Sequence, residues 1–120
     1  MENQTLEKTL LLDFYGDLLT DKQREYYNLY HNSDFSLAEI ADRAGITRQG
    51  VYDIIRRADR TLSEIEEKTG LIERWRKMRK AAGEAKSLIE NLQSTTDEKK
   101  TTETTERLIS ILDDIIEDIT

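Results

Sequence analysis

Cysteine and proline are both absent from the 120 residues, and only five glycines and one histidine occur. Without cysteine there is no disulfide, thiol nucleophile or thiolate zinc site, which suits a reducing compartment. Without proline, nothing in the chain forbids long helices. Five glycines leave little material for phosphate-cradling loops. The lone His31 excludes a multi-histidine metal site or a Ser-His-Asp triad within one chain. Long apolar runs are missing too: the longest is Leu10 to Leu12, so no segment is expected to span a membrane. Glu2 and Glu7 replace the basic start of a secretory signal. The expectation is a soluble, cytoplasmic protein with no metal and no cofactor.

What is abundant is charge, 36% of residues against 37% hydrophobic, which points to helices with wide solvated faces. The net charge of −7 argues at first sight against a nucleic-acid partner. Its distribution reverses that. Residues 1–35 carry net −4 and residues 94–120 net −5, while 36–61 and 62–93 each carry +1. A phosphate backbone responds to the local field, and the middle of the chain is not acidic.

Leu6, Leu10, Phe14 and Leu18 recur every four residues, with Leu11 and Tyr15 beside them, and predict a helix over 5–19. Thr20 with Gln23 three residues on is a capping box opening a second helix, whose apolar face is Tyr26, Tyr27, Leu29 and Tyr30. Asn32-Ser33-Asp34 is turn chemistry. Ser36 with Glu39 caps a third helix, Gly45 interrupts it, and Thr47 caps a fourth that runs to about Asp59. A restart is expected at Thr61 or Ser63, and a break at Gly70. From there Leu71, Trp75, Met78, Ala82, Ala85, Ile89 and Leu92 alternate spacings of four and three, as in a coiled coil. Residues 94–105 have no apolar side chain and read as a solvated linker or frayed turn. Leu108, Leu112, Ile115 and Ile119 form a last amphipathic helix, flanked by Ile109, Ile111 and Ile116.

The sharpest signal lies between Leu37 and Ile54. A helix-turn-helix needs a small residue where its helices touch, supplied by Ala41, and a turn residue tolerant of positive φ, supplied by Gly45. Ile40, Ala44, Ile46, Val51 and Ile54 sit at offsets that would lock the two helices together. The second helix would enter the major groove by its N-terminal end. With Val51, Ile54 and Ala58 inward, Thr47, Arg48, Gln49, Tyr52 and Asp53 become the candidate base contacts. Arg48 suits guanine and Gln49 suits adenine by bidentate geometry. Arg43, Arg56, Arg57 and Arg60 become candidate backbone contacts. The plainer reading of the arginines is a solvated face with ion pairs such as Asp53 to Arg57. Gly50, odd inside a helix, allows close approach either to a sugar-phosphate backbone or between the helices.

Leu19 to Glu25, Ser36 to Ala41 and Ile46 to Tyr52 are similar to region four of bacterial sigma factors, the region that reads the promoter −35 element. Nearly the whole chain resembles the small YlxM-like helix-turn-helix family, most specifically through Thr47 to Asp53 and Tyr26 to Tyr30. The resemblance implies an all-α, sigma region four-like bundle that binds DNA. It also implies a role in, or regulation of, the signal recognition particle pathway, beside whose genes the family is typically encoded. No sigma region two is present, and Gly50 stands where sigma factors often place a larger polar residue.

The expected organisation is a helix-turn-helix domain over 1–62, with its motif at 37–58. A long helix and a C-terminal helix over 63–120 would serve as a packing or dimerisation arm. Arg74, Arg76, Lys77, Arg79 and Lys80 cluster around Trp75 as a candidate second nucleic-acid patch; alternatively Trp75 belongs to the seam and the cations are its solvated flanks. The seams over 71–92 and 108–119 can pair within the chain or between two chains as a homodimer. The acids Asp113, Asp114, Glu117 and Asp118 could cover Arg76 and Arg79, in cis or in trans. Carboxylate pairs such as Glu66-Glu67 diverge on helix faces and form no converging acid–base site, so no enzyme is expected. Two readings remain: a regulator reading double-stranded DNA, or an accessory module binding RNA or protein of the signal recognition particle machinery through the 74–80 patch and the seams.

Overall fold

The computed structural model describes residues 2–94 and 96–119, with side chains from 4 to 94 and 96 to 117; the side chains of Asp118 and of Ile119 in the last seam lie outside them. Among the described residues there are six α-helices and no strand: α1 (Glu2–Tyr15), α2 (Asp21–His31), α3 (Leu37–Ala44), α4 (Arg48–Thr69), α5 (Leu71–Ser94) and α6 (Glu98–Ile119). The chain forms two compact units, 1–72 and 73–120.

In the first unit α1, α2 and α3 all pack on α4. The core side of α4 is Val51, Ile55, Ala58 and Leu62, spaced four, three and four and all buried. Ile54, expected inward, is only half-buried, because Ile55 rather than Ile54 continues the row that Val51 begins. The α1 stripe is displaced in the same way. Leu10, Leu11, Tyr15 and Leu19 are buried, whereas Leu6, Phe14 and Leu18 are exposed. The helix itself stops at Tyr15 rather than continuing to 19, and Gly16–Leu18 form a 3-10 turn. Gly16 is buried there, and a Cβ on it would lie 3.1 Å from Leu12 Cδ1. α4 runs unbroken through the restart expected near Thr61, since Leu62 is fully buried on the same row and holds the helix in register.

The expected caps form. Gln23 N–H donates to Thr20 Oγ1 at 3.2 Å while Thr20 N–H donates to Gln23 Oε1 at 3.1 Å. Ser36 and Glu39 repeat this at the head of α3, at 3.1 and 3.2 Å. Gly45 (φ 71°) and Gly70 (φ 62°) end α3 and α4 in the left-handed region, where a side chain would be strained. The Tyr15 hydroxyl, 2.6 Å from Glu66 Oε1 and 2.6 Å from Thr69 Oγ1, ties the end of α1 to this corner, and the same Glu66 oxygen accepts from Ile72 N–H at 3.0 Å.

In the second unit most of the supposed linker is helical, because Asp97 caps α6: its carboxylate accepts from Lys99 N–H at 3.0 Å. Only 95–97 separate α5 from α6. Asn91 and Ser94 share a groove of about 320 Å³ with Lys100, Glu103 and Thr104, so α6 turns back beside α5. From Ala81 onward the buried and half-buried side chains fall on one row of each helix, Ala81, Ala85, Leu88 and Leu92 on α5 and Thr104, Leu108, Ile111 and Ile115 on α6, while half-buried Trp75 lies on the neighbouring row of α5 with Met78 and Ala82. The seams therefore split. Met78, Ala82, Ile89, Ile109, Leu112 and Ile116, counted as seam residues or their flanks, are exposed.

Candidate nucleic-acid interface

α3, the Gly45 turn and α4 make the helix-turn-helix. Ile40 and Ala41 are buried beneath it with Val51, while Ala44 is half-buried. Ile46, expected to lock the two helices, is exposed instead; its Cδ1 lies 3.7 Å from where a Cβ on Gly50 would stand. That hypothetical Cβ would also meet Thr47 Oγ1 at 3.2 Å, the atom that accepts Gly50 N–H at 3.0 Å. No atom of α3 lies within 4 Å of that position, so packing between the helices does not require the glycine. It leaves room for the cap of its own helix.

Thr47 N-caps α4 and keeps its hydroxyl proton to donate outward. No acidic residue stands in the first turn of α4, whereas α2 and α3 begin with Asp21 and Glu39. The positive end of the α4 dipole is therefore not offset locally. Gln49, Asp53, Arg56 and Arg60, spaced four, three and four, are exposed on the face opposite the buried row. Tyr52 and Arg48 are exposed to one side of them and Arg57 to the other. Arg43, exposed at the end of α3, sits 5.8 Å over the Phe35 ring, which steers it by a cation–π contact. Among the described residues no ion pair engages Arg48, Arg56, Arg57 or Arg60. Asp53 does not take Arg57; it accepts from Gln49 Nε2 at 3.0 Å. That donor bond leaves the Gln49 carbonyl oxygen and its second amide hydrogen available.

The second patch is arranged differently. Arg74, Arg76, Lys77, Arg79 and Lys80 are all exposed, but at about 100° per residue they spread around α5 and do not share a side. Lys77 lies 3.7 Å from Glu73, and Arg79 sits 5.3 Å over the ring of half-buried Trp75.

One polar cluster was not visible from the sequence. Asp59 on α4 meets Lys8 Nζ of α1 at 2.7 Å and faces His31 Nε2 of α2 at 3.8 Å. Burial pushes the Asp59 carboxyl up, but His31 and Lys8 outweigh it and hold the group below its usual value. The buried Tyr27 hydroxyl donates to the Lys8 carbonyl at 3.1 Å; burial, then the charge of Asp59, keeps it protonated far above the ordinary tyrosine range. Charged residues scattered over three helices carry no spacing signal, so only the fold reveals them.

These features define an all-α protein with a helix-turn-helix. The particular family follows from comparison. A sequence profile described as "Putative helix-turn-helix protein, YlxM / p13 like" matches residues 2–109, and the chain belongs to this family, UPF0122. It is 48% identical over 89 residues to a UPF0122 protein of Caldanaerobacter subterraneus subsp. tengcongensis, covering 74% of this chain and 76% of that one. It is 39% identical over 113 residues to one from Halalkalibacterium halodurans, covering 94% and 97%. With one from Shouchella clausii it shares 44% over 89 residues, 74% and 82% of the two chains. No helix among the described residues is long and apolar enough to cross a membrane.

Proposed function

We propose that the protein is a non-enzymatic cytoplasmic regulator that binds double-stranded DNA through its helix-turn-helix, as a homodimer held by the second unit. The observation that carries this reading is the outer face of α4. Four arginines that form no ion pair among the described residues, an oriented glutamine and a capped, acid-free helix N-terminus are presented together. In the major groove Arg48 and Gln49 meet base edges at the leading end, with Tyr52 beside them, while Arg43, Arg56, Arg57 and Arg60 take phosphates. The 1–62 segment carries this binding. A place in the signal recognition particle pathway is part of the proposal and rests on the family resemblance.

The test is selection from sheared genomic DNA and total RNA of the source cell at near-physiological salt, followed by sequencing of what is retained. A shared DNA motif is expected. Arg48→Ala and Gln49→Ala should each lose about 1–3 kcal/mol on that motif and little on random DNA. Retention of one structured RNA, lost with Arg76→Ala and Arg79→Ala, would replace DNA reading with the accessory-module reading through the α5 cations.

A further inference from the structure

The second unit has one apolar row more than it uses. In a pair of antiparallel helices, stepping one residue forward from the facing row turns each side chain about 100°, and the opposite chain directions bring both turns to the same side. The exposed row on α5 (Met78, Ala82 and Ile89) and that on α6 (Ile109 and Leu112) follow the facing rows by such steps. They form one continuous face along the hairpin. Met78, Ile89, Ile109 and Leu112 are 36%, 48%, 54% and 50% exposed there.

From this we infer that a second copy of the chain covers the face, making a parallel, two-fold four-helix bundle in which α5 of one chain lies against α6 of its partner. This deepens the homodimer part of the proposed function. Charge selects the occupant and the direction. The outer edge of the face carries Arg79 and Lys86 on α5, and Glu106 and Asp113 on α6, all exposed. Residue 96 is the centre of the turn. Arg79 and Asp113 are equally distant from it along the chain, and so are Lys86 and Glu106. A two-fold axis parallel to the helices therefore brings Arg79 level with the partner's Asp113, and Lys86 level with the partner's Glu106. Within one chain the same groups stand on opposite outer edges of the hairpin and cannot meet. A head-to-tail dimer would lose both pairings. The acids of α6 thus reach the cations of α5 in trans.

The experiment is sedimentation equilibrium of the full chain without DNA, with helical content followed by circular dichroism. The wild type should be dimeric, and Leu112→Asp should raise its dissociation constant at least about a hundredfold, since a carboxylate would be buried in an apolar seam. Arg79→Glu should weaken the dimer about tenfold, and Arg79→Glu with Asp113→Arg should return it to within about threefold of wild type. A monomeric wild type overturns the proposal and leaves the face to another partner. A dimer indifferent to Leu112→Asp overturns the interface. A charge-swapped pair with no rescue overturns the parallel arrangement, and it remains a test if Leu112→Asp fails to fold. DNA binding is measured separately on the same variants. A monomer that still selects the wild-type motif separates failure of the dimer from failure of the DNA reading.

Discussion

At the scale of single residues, Asp53 and Asp59 sit six residues apart on α4 and do unrelated work. Asp53 is an anion on a surface otherwise suited to phosphate, and its contact explains its presence: it holds the Gln49 amide at 3.0 Å. Replacing it should act in two directions. Asp53→Ala removes a repulsive charge, so affinity for random DNA should rise. It also frees the Gln49 rotamer, so preference for the base pair Gln49 reads should fall by roughly three- to tenfold. Titrations against the selected site, a single-pair variant of it and scrambled DNA separate the two; an unchanged preference would remove the orienting role. Asp59 bears on stability. Its folded carboxyl is held below its ordinary 3.8 by His31 and Lys8 against the opposing effect of burial. A lowered folded value means that the unfolded chain binds the proton first as pH falls. The contribution is therefore fully present above about pH 4 and lost as pH drops through the folded value. Urea midpoints between pH 7 and pH 2 should show this loss, and Asp59→Asn should lack that part of it while costing about 1–3 kcal/mol at neutral pH.

Among the helices, the interior of α5 offers a clean test of local propensity. Gly83 is exposed in the middle of a 24-residue helix, and nothing lies within 4 Å of where its Cβ would be. Gly83→Ala should stabilise the protein by about 0.5–1 kcal/mol, read as a rise in the thermal midpoint at fixed protein concentration. A fall would mean that the position is more crowded in the assembled protein than in one chain. Gly50 is unlike it, because there the space is filled by the Thr47 cap. This contrast marks what was legible in the sequence. Helix ends marked by a capping box or a left-handed glycine were, since these are local devices written in neighbouring residues: Thr20 with Gln23, Ser36 with Glu39, Gly45, Gly70; the end of α1 at Tyr15, the passage of α4 through Thr61 and the start of α6 at Glu98 were not. Which apolar row faces the core was legible only to within one residue. α1 has leucines on adjacent rows, and choosing Leu11 and Tyr15 over Phe14 and Leu18 depends on α2 and on α4, which α1 meets across 51 residues at Lys8–Asp59 and Tyr15–Glu66. The exposure of the candidate residues on α4 was legible in their spacing, but the partner of Asp53 was not, because both Gln49 and Arg57 stand four residues from it.

Over the whole molecule, a net charge of −7 must be reconciled with the polyanionic partner proposed above. Of the acids in the first 35 residues, Asp13, Asp17, Asp21 and Glu25 line one groove of about 500 Å³ beside α1 and α2, where Arg24 already pairs with Asp17 at 2.9 Å. The α4 face instead gathers arginines that form no ion pair among the described residues. DNA affinity should thus follow the local face, and its salt dependence should count the phosphates that face neutralises. Arg43, Arg56, Arg57 and Arg60 give up to four contacts per chain, hence a slope of log K against log salt of about −3.6 for one chain and roughly −7 for two. Binding of the wild type to its selected site, measured from 50 to 200 mM salt, should show the steeper value, and Leu112→Asp the shallower one. Equal slopes for the two proteins would mean that one helix-turn-helix engages each site whether or not the chains associate. A slope near zero for both would mean that the arginines of α4 do not lie on phosphates at all.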